Sequence, residues 1–303
     1  MAPPYALLLL VAAPFVLGRA LLDLHLPVAV YPEKPYPESP YPEDPYPEPT
    51  STTPGPTSTP TPDPPELTCD KYGYLIQFAE LIRVNLATGT YETVRNGLGD
   101  NSAINALGYN PLDNYLYGYQ RSTQEIIRIA SDGSSSIITT IPNGAAYILG
   151  DFDADGYYWV ATQTGAAWHK IDLIPGSATY GEVVESGTTP SPGNTIDTIS
   201  DWVYVPIAGD YLWSLGANTG SGASLIRWGF DTREWEILAS YPNVDSVFGA
   251  LYGINNGTIY ASSNSNGRIW AFDTVGSVEP YVASQGPPSS SNDGARCVAN
   301  LEV

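Results

Sequence analysis

Residues 101–129 read NSAINALGYNPLDNYLYGYQRSTQEIIRI, and this stretch decides the fold. Asn101 opens an apolar run that ends at the polar turn Asn110-Pro111-Leu112-Asp113-Asn114. A Tyr-rich run, Tyr115-Leu116-Tyr117, comes next. After another polar turn, Ile127-Arg128-Ile129 sets one basic residue between two apolar ones. Short apolar or aromatic runs bounded by Gly, Asn, Asp and Pro are the marks of strands joined by tight turns. No stretch of this domain has the period of a helix.

The same three motifs recur in the same order. The opening Asn returns as Asn143, Asn194, Asn243 and Asn292. The aromatic run returns as Tyr157-Tyr158-Trp159, Tyr211-Leu212-Trp213 and Thr258-Ile259-Tyr260, with a further copy at Tyr74-Leu75-Ile76. The basic motif appears as Ile82-Arg83-Val84, His169-Lys170-Ile171, Ile226-Arg227-Trp228 and, more loosely, Arg268-Ile269-Trp270. A fourth run usually follows, as in Glu234-Trp235-Glu236-Ile237-Leu238. Residues 69–303 divided among five copies give 47 residues each, a period that falls among those of β-propeller blades. One four-stranded blade cannot bury both faces alone, so blades pack radially with aromatic and β-branched residues between them. The expected fold is therefore all-β: a five-bladed β-propeller of four-stranded antiparallel blades.

Motif order also predicts how the ring closes. The domain starts with the second and third motifs and ends with the first. The segment after Asn292 should supply the innermost strand of a blade whose outer strands are residues 72–95. Cys69 and Cys297 both fall on this mixed blade. A disulfide between them would close a loop of 228 residues, worth roughly 5 kcal/mol in the chain-entropy account; the alternative is two free buried thiols.

Upstream, 18 of the 28 prolines lie in residues 1–68. Ala6 to Leu17 form an apolar run too short to span a bilayer but suited to a signal peptide over residues 1–20, although no basic residue precedes it. A buried or uncleaved N-terminus is the alternative. Residues 21–68 carry the repeat YPEKP, YPESP, YPEDP, YPEP and then a Ser/Thr/Pro run. Two prolines in five residues exclude helix and sheet interior, so a disordered, extended stalk open to O-glycosylation is expected. A spacer is preferred to a ligand for proline-recognising domains, because those readers are mostly intracellular.

The chain carries 12 Lys+Arg against 32 Asp+Glu. Most of that excess lies in residues 69–303, with 10 basic and 24 acidic side chains. So acidic a chain offers no basic stripe to phosphates, and nucleic acid is excluded as a partner. No transmembrane span is expected, and the reading is of a monomer outside the cell.

Ala106-Leu107-Gly108-Tyr109-Asn110-Pro111-Leu112-Asp113, Gly150-Asp151-Phe152-Asp153 leading to Tyr157-Tyr158-Trp159, and Asn292-Asp293-Gly294-Ala295-Arg296-Cys297 together resemble an uncharacterised family of secreted fungal propellers related to domains of bacterial surface proteins. The resemblance spans about residues 69–303. It implies an extracellular or cell-wall location and carries no activity.

Candidate chemistry is sparse. Asp151, Asp153 and Asp155, followed by Gly156, match the start of a calcium loop, but no bidentate Glu follows, and Asp-Gly is itself a hairpin dipeptide. Ca2+ is the one cofactor considered. Asn101, Asn143, Asn194, Asn243 and Asn292, with Asp197 and Asp245 nearby, should ring one mouth of the central channel. There they would either bind a sugar or cation or simply form turns. A Ser-His-acid triad would need His169, in a third strand away from the axis. Trp168, Trp202 and Trp235 are candidate sugar-stacking platforms. Asn256-Gly257-Thr258 is the single N-glycosylation sequon. The expected function is a secreted or cell-surface non-enzymatic module binding glycan or extracellular protein. The alternative is a carbohydrate-active hydrolase using carboxylates at the channel mouth.

Overall fold

The computed structural model describes residues 63–141 and 145–303. The expected signal peptide, the stalk up to residue 62 and Asn143 lie outside the described residues. Five antiparallel sheets make five blades, as the motif order predicts. Blade 1 holds β1 (Gly73–Gln77), β2 (Glu80–Val84) and β3 (Tyr91–Asn96). Blade 2 holds β4 (Ile104–Asn110), β5 (Tyr115–Gln120), β6 (Glu125–Ile129) and β7 (Ser135–Thr140). Blade 3 is β8 (Tyr147–Phe152), β9 (Tyr157–Thr162), β10 (Ala167–Asp172) and β11 (Val183–Thr188).

Blade 4 is β12 (Ile196–Ile199), β13 (Val203–Tyr204), β14 (Tyr211–Asn218), β15 (Ala223–Gly229) and β16 (Trp235–Tyr241). Blade 5 is β17 (Phe248–Ile254), β18 (Thr258–Ser263), β19 (Arg268–Asp273) and β20 (Tyr281–Gln285). The last strand, β21 (Asp293–Ala295), pairs with β1 and completes blade 1 from the far end of the chain. Cys69 and Cys297 are disulfide-bonded across this closure, with Cα atoms 5.2 Å apart.

Each blade runs outward from the axis, with its first strand innermost in blades 2 to 5 and β21 innermost in blade 1. β21 packs on β4 and β17, β4 on β8, β8 on β13, and β13 on β17, which closes the inner ring. Connections between blades and the turns between second and third strands share one face. Turns between first and second strands share the opposite face with the disulfide.

Three features add detail to the expected scheme. The domain starts before Cys69: Leu67 is 3% exposed within the core of blades 1 and 2. Its N–H donates to Asn114 O (2.8 Å), and Ser131 N–H donates to Pro65 O (2.9 Å). Prolines upstream masked this, because they advertise extended chain whether or not it lies on a surface. Second, the innermost strand of blade 4 is split into β12 and β13 by Ser200-Asp201-Trp202. Third, Arg268 is not the fifth basic motif. Tyr117, Trp159 and Trp213 pair with Arg128, Lys170 and Arg227, whereas Tyr260 pairs with Ala271.

Candidate functional site

The mouth residues act first as fasteners. In blade 2 the Asp100 carboxylate accepts from Ser102 N (2.9 Å) and Ser122 Oγ (2.5 Å). Hydrogen bonds from Ser102 and Ser122 hold it below the usual carboxylate range. Asn101 beside it is exposed, with a left-handed φ of 67° that Asn tolerates. In blade 4, Asp197 accepts from Thr219 Oγ1 (2.7 Å), and Asn194 is exposed. In blade 5, Asp245 accepts from Asn266 Nδ2 (3.1 Å) and Trp270 Nε1 (2.8 Å), with Arg268 at 3.7 Å. Asn292 accepts from Gln77 Nε2 (2.9 Å) and donates to Asn264 Oδ1 (2.8 Å), which ties blade 1 to blade 5. The paired carboxylates tie the turn between second and third strands to the segment entering the innermost strand.

Asp151, Asp153 and Asp155 have separate duties. Asp153 accepts from the N–H groups of Asp155 (3.1 Å) and Tyr157 (3.0 Å) and from Trp159 Nε1 (2.8 Å), so its carboxylate builds the turn. Asp151 reaches blade 4 and accepts from Tyr204 N (2.7 Å), while Asp155 is exposed. Among the described residues, no group of three His, Cys, Asp or Glu side chains is placed to hold a metal ion.

The tryptophans are interior. Trp168 and Trp202 are 4% and 1% exposed and pack with Trp159 and Trp228 between blades 3 and 4; only Trp235 is half-buried. Trp168 and Trp202 therefore offer no stacking face to a sugar. His169 faces the Tyr147 ring (5.2 Å), its Nδ1 is buried without a partner, and burial pushes its pKa down.

A second acidic group lies on the axis, and of its members sequence reading passed over Asp201. The innermost strands of blades 2, 3 and 5 slip register on their partners, at Asn105/Gly108, Tyr147/Leu149 and Phe248/Ala250. Bulges of this kind re-aim backbone groups. Asp201, in the break of blade 4, accepts from Gly150 N of blade 3 (3.1 Å) and Trp202 N (2.7 Å). Asp293 of blade 1 accepts from Leu107 N of blade 2 (3.0 Å). Tyr158 OH donates to the carbonyl of Ala106, itself left-handed with φ 57°. Only glycine fits at position 150, because a Cβ there would lie 2.3 Å from that carbonyl oxygen.

Asp201 is 2% and Asp293 1% exposed. Burial pushes Asp293 up to about 7 and Asp201 well above the ordinary range, with the neighbouring Asp293 charge adding to the latter. Burial likewise lifts Asp151 to about 7. One sequence signal was available: Gly150-Asp151 and Asp293-Gly294 each put an acid beside a glycine inside an innermost strand.

An open concavity lies elsewhere. Between the outer strand of blade 4 and the outer half of blade 5 runs a groove of about 580 Å³. Its walls include Tyr241, Asn243, Trp270, Asp273, Ser277 and Glu279. That volume is of the size that holds a small ligand, and Asn243 is the one mouth residue that lines it.

Known proteins place the chain by fold and by family. No curated protein matches it. A chain of the nidogen/laminin complex is similar at 14% identity and a TM-score of 0.50, over 72% of this chain and 80% of that one. Virginiamycin B lyase from Staphylococcus aureus is similar at 16% identity and a TM-score of 0.43, over 72% and 69%. TolB from Acinetobacter baumannii is similar at 17% identity and a TM-score of 0.45, over 73% and 54%. At such identities the likeness is one of fold alone. Residues 77–299 match a family described as a repeat of unknown function (DUF6923), and the chain belongs to it.

Proposed function

We propose that this is a secreted or cell-surface, non-enzymatic binding module, of fungal type and carried on its stalk, whose ligand is a glycan held in the groove between blades 4 and 5. One observation carries the reading: the groove sets the half-buried ring of Tyr241 beside amide, hydroxyl and carboxylate groups of Asn243, Ser277 and Glu279. Apolar ring faces and polar rims are what a pyranose presents in complement. The acids that a hydrolase would use support the same conclusion. Asp197 and Asp245 fasten loops, and Asp201 and Asp293 are closed off from solvent.

A disulfide suits an oxidising compartment. Among the described residues, no helix is long and apolar enough to cross a membrane. Asn256 is exposed at the β17–β18 hairpin tip, beside the turn after β19, whose Thr274 N–H donates to Gly257 O (2.8 Å). The module works as a monomer, with an extracellular protein as the other ligand class to screen. A glycan array on the full chain should give binding that Tyr241→Ala weakens at least tenfold. Release of reducing sugar from polysaccharide, abolished by Asp197→Asn or Asp245→Asn, would replace this reading with the hydrolase.

A further inference from the structure

The two axial carboxyls have an unfinished valence. The Oδ1 atoms of Asp201 and Asp293 take backbone N–H groups from blades 3 and 2, so both are anchored. Their Oδ2 atoms are buried and have no other partner, and their two anchors are neighbours, with Gly150 packed on the Ala106 carbonyl beside Leu107. Two acceptors cannot bond without a proton between them, and two bare carboxylates this close in a dry interior repel strongly.

We propose that Asp201 and Asp293 share one proton between their Oδ2 atoms, and that this carboxyl–carboxylate bond is a proton-dependent lock joining blade 4 to blade 1 across the axis. Blades 1 and 4 are not neighbours in the ring, so the bond spans its interior. The other ionisable groups turned to the pair are Tyr158 on β9 and Tyr252 on β17, with Asp151 on β8 nearby. Both tyrosines are neutral at any moderate pH, since burial pushes them up, and none of the neighbours that most strongly shift either carboxyl is a cation. Among the described residues no cationic side chain is among the pair's strongest-acting neighbours, so a proton is the charge that the pair itself can hold.

The sign follows from linkage. The folded state holds a proton that the unfolded chain releases above about pH 4. The stability it contributes is full in acid and is lost as pH rises through the folded-state value, about 7 at Asp293. Asp151 adds a slope of the same sign, so the experiment must separate them.

The unfolding temperature of the full chain, read by calorimetry, should fall by on the order of 5 °C or more between pH 5 and pH 8. In Asp201→Asn the amide donates to Asp293 permanently, so that slope should shrink; Asp293→Asn should act likewise, and Asp151→Asn should leave most of it. An unfolding temperature that is flat or rising over this window, or variants that keep the wild-type slope, would overturn the lock. If the Asn variants fail to fold, infrared spectra of folded wild type and Asp151→Asn decide: a protonated-carboxyl stretch persisting at pH 6 in both supports the pair, and its absence sinks it. Calcium-induced stabilisation reversed by EDTA would assign the two oxygens to a cation and overturn it as well.

Discussion

Asp245 and Asp197 occupy the same place in successive blades, yet their side chains carry different loads. Asp197 accepts one hydroxyl at an exposed position. Asp245 is half-buried and accepts from an amide and from Trp270 Nε1 while Arg268 stands by. Removing an acceptor from a buried donor costs the donor's desolvation, about 1–3 kcal/mol, whereas an exposed bond returns to water. Asp245→Ala should therefore lower unfolding free energy by about 1–3 kcal/mol in urea titration, and Asp197→Ala by less than about 0.5 kcal/mol. Similar losses would mean that the clamp does not depend on burial. The sequence marks both positions as turn acids but cannot rank them, since Trp270 reaches Asp245 only after 25 residues of strand and turn bring it back.

At the scale of the strand, the basic motif acquires a reason. Arg83 lies over Tyr72, Arg128 over Tyr115, Lys170 over Tyr157 and Arg227 over Tyr211, with the cation 3.8 to 4.5 Å from the ring centroid. Each is a third-strand cation stacked on an aromatic at or just before the start of the second strand. Blade 5 has lost both members, with Thr258 at the ring position and Ala271 at the cation position. Register and blade count were legible because the pairing repeats in sequence. The split of β12 from β13 was not, since Asp201-Trp202 reads as one more turn until the neighbouring backbone is seen.

A double-mutant cycle of Arg227→Ala with Tyr211→Ala should return a coupling of about 0.5–1 kcal/mol, the range of exposed cation–π pairs. Because Glu236 also holds Arg227 (2.6 Å), the cycle is run in an Glu236→Gln background. Coupling near zero would leave the recurrence of the motif to strand pairing alone.

For the whole molecule, closure is the decisive event. Every blade but the first is built from contiguous chain; blade 1 must bring β21 to β1 across more than 200 residues, and the disulfide spans 228. Replacing both cysteines by Ser should cost about 2–5 kcal/mol, seen as a lower midpoint in guanidinium, with glycan binding retained in native buffer. An unchanged midpoint would show that strand pairing alone closes the ring. The fold was readable from the repeat, whereas the groove was not. Its walls come from the end of β16 and the turn after β19, and turns outside the repeat carry no periodic signal.

The disulfide also decides where a mechanical pull is borne. A tug arriving from the N-terminal side of Asp63 meets the docked Pro64, Pro65 and Leu67 first and Cys69 next, before any hydrogen bond of β1. From Cys69 the tension divides, one branch entering β1 and the other entering β21 through Cys297. These strands are antiparallel partners in one sheet, so the load falls on two anchored ends of the same blade instead of stripping a single terminal strand. If the domain is tethered from that side, as proposed, drag on a bound ligand would be carried as strain on a covalent bond.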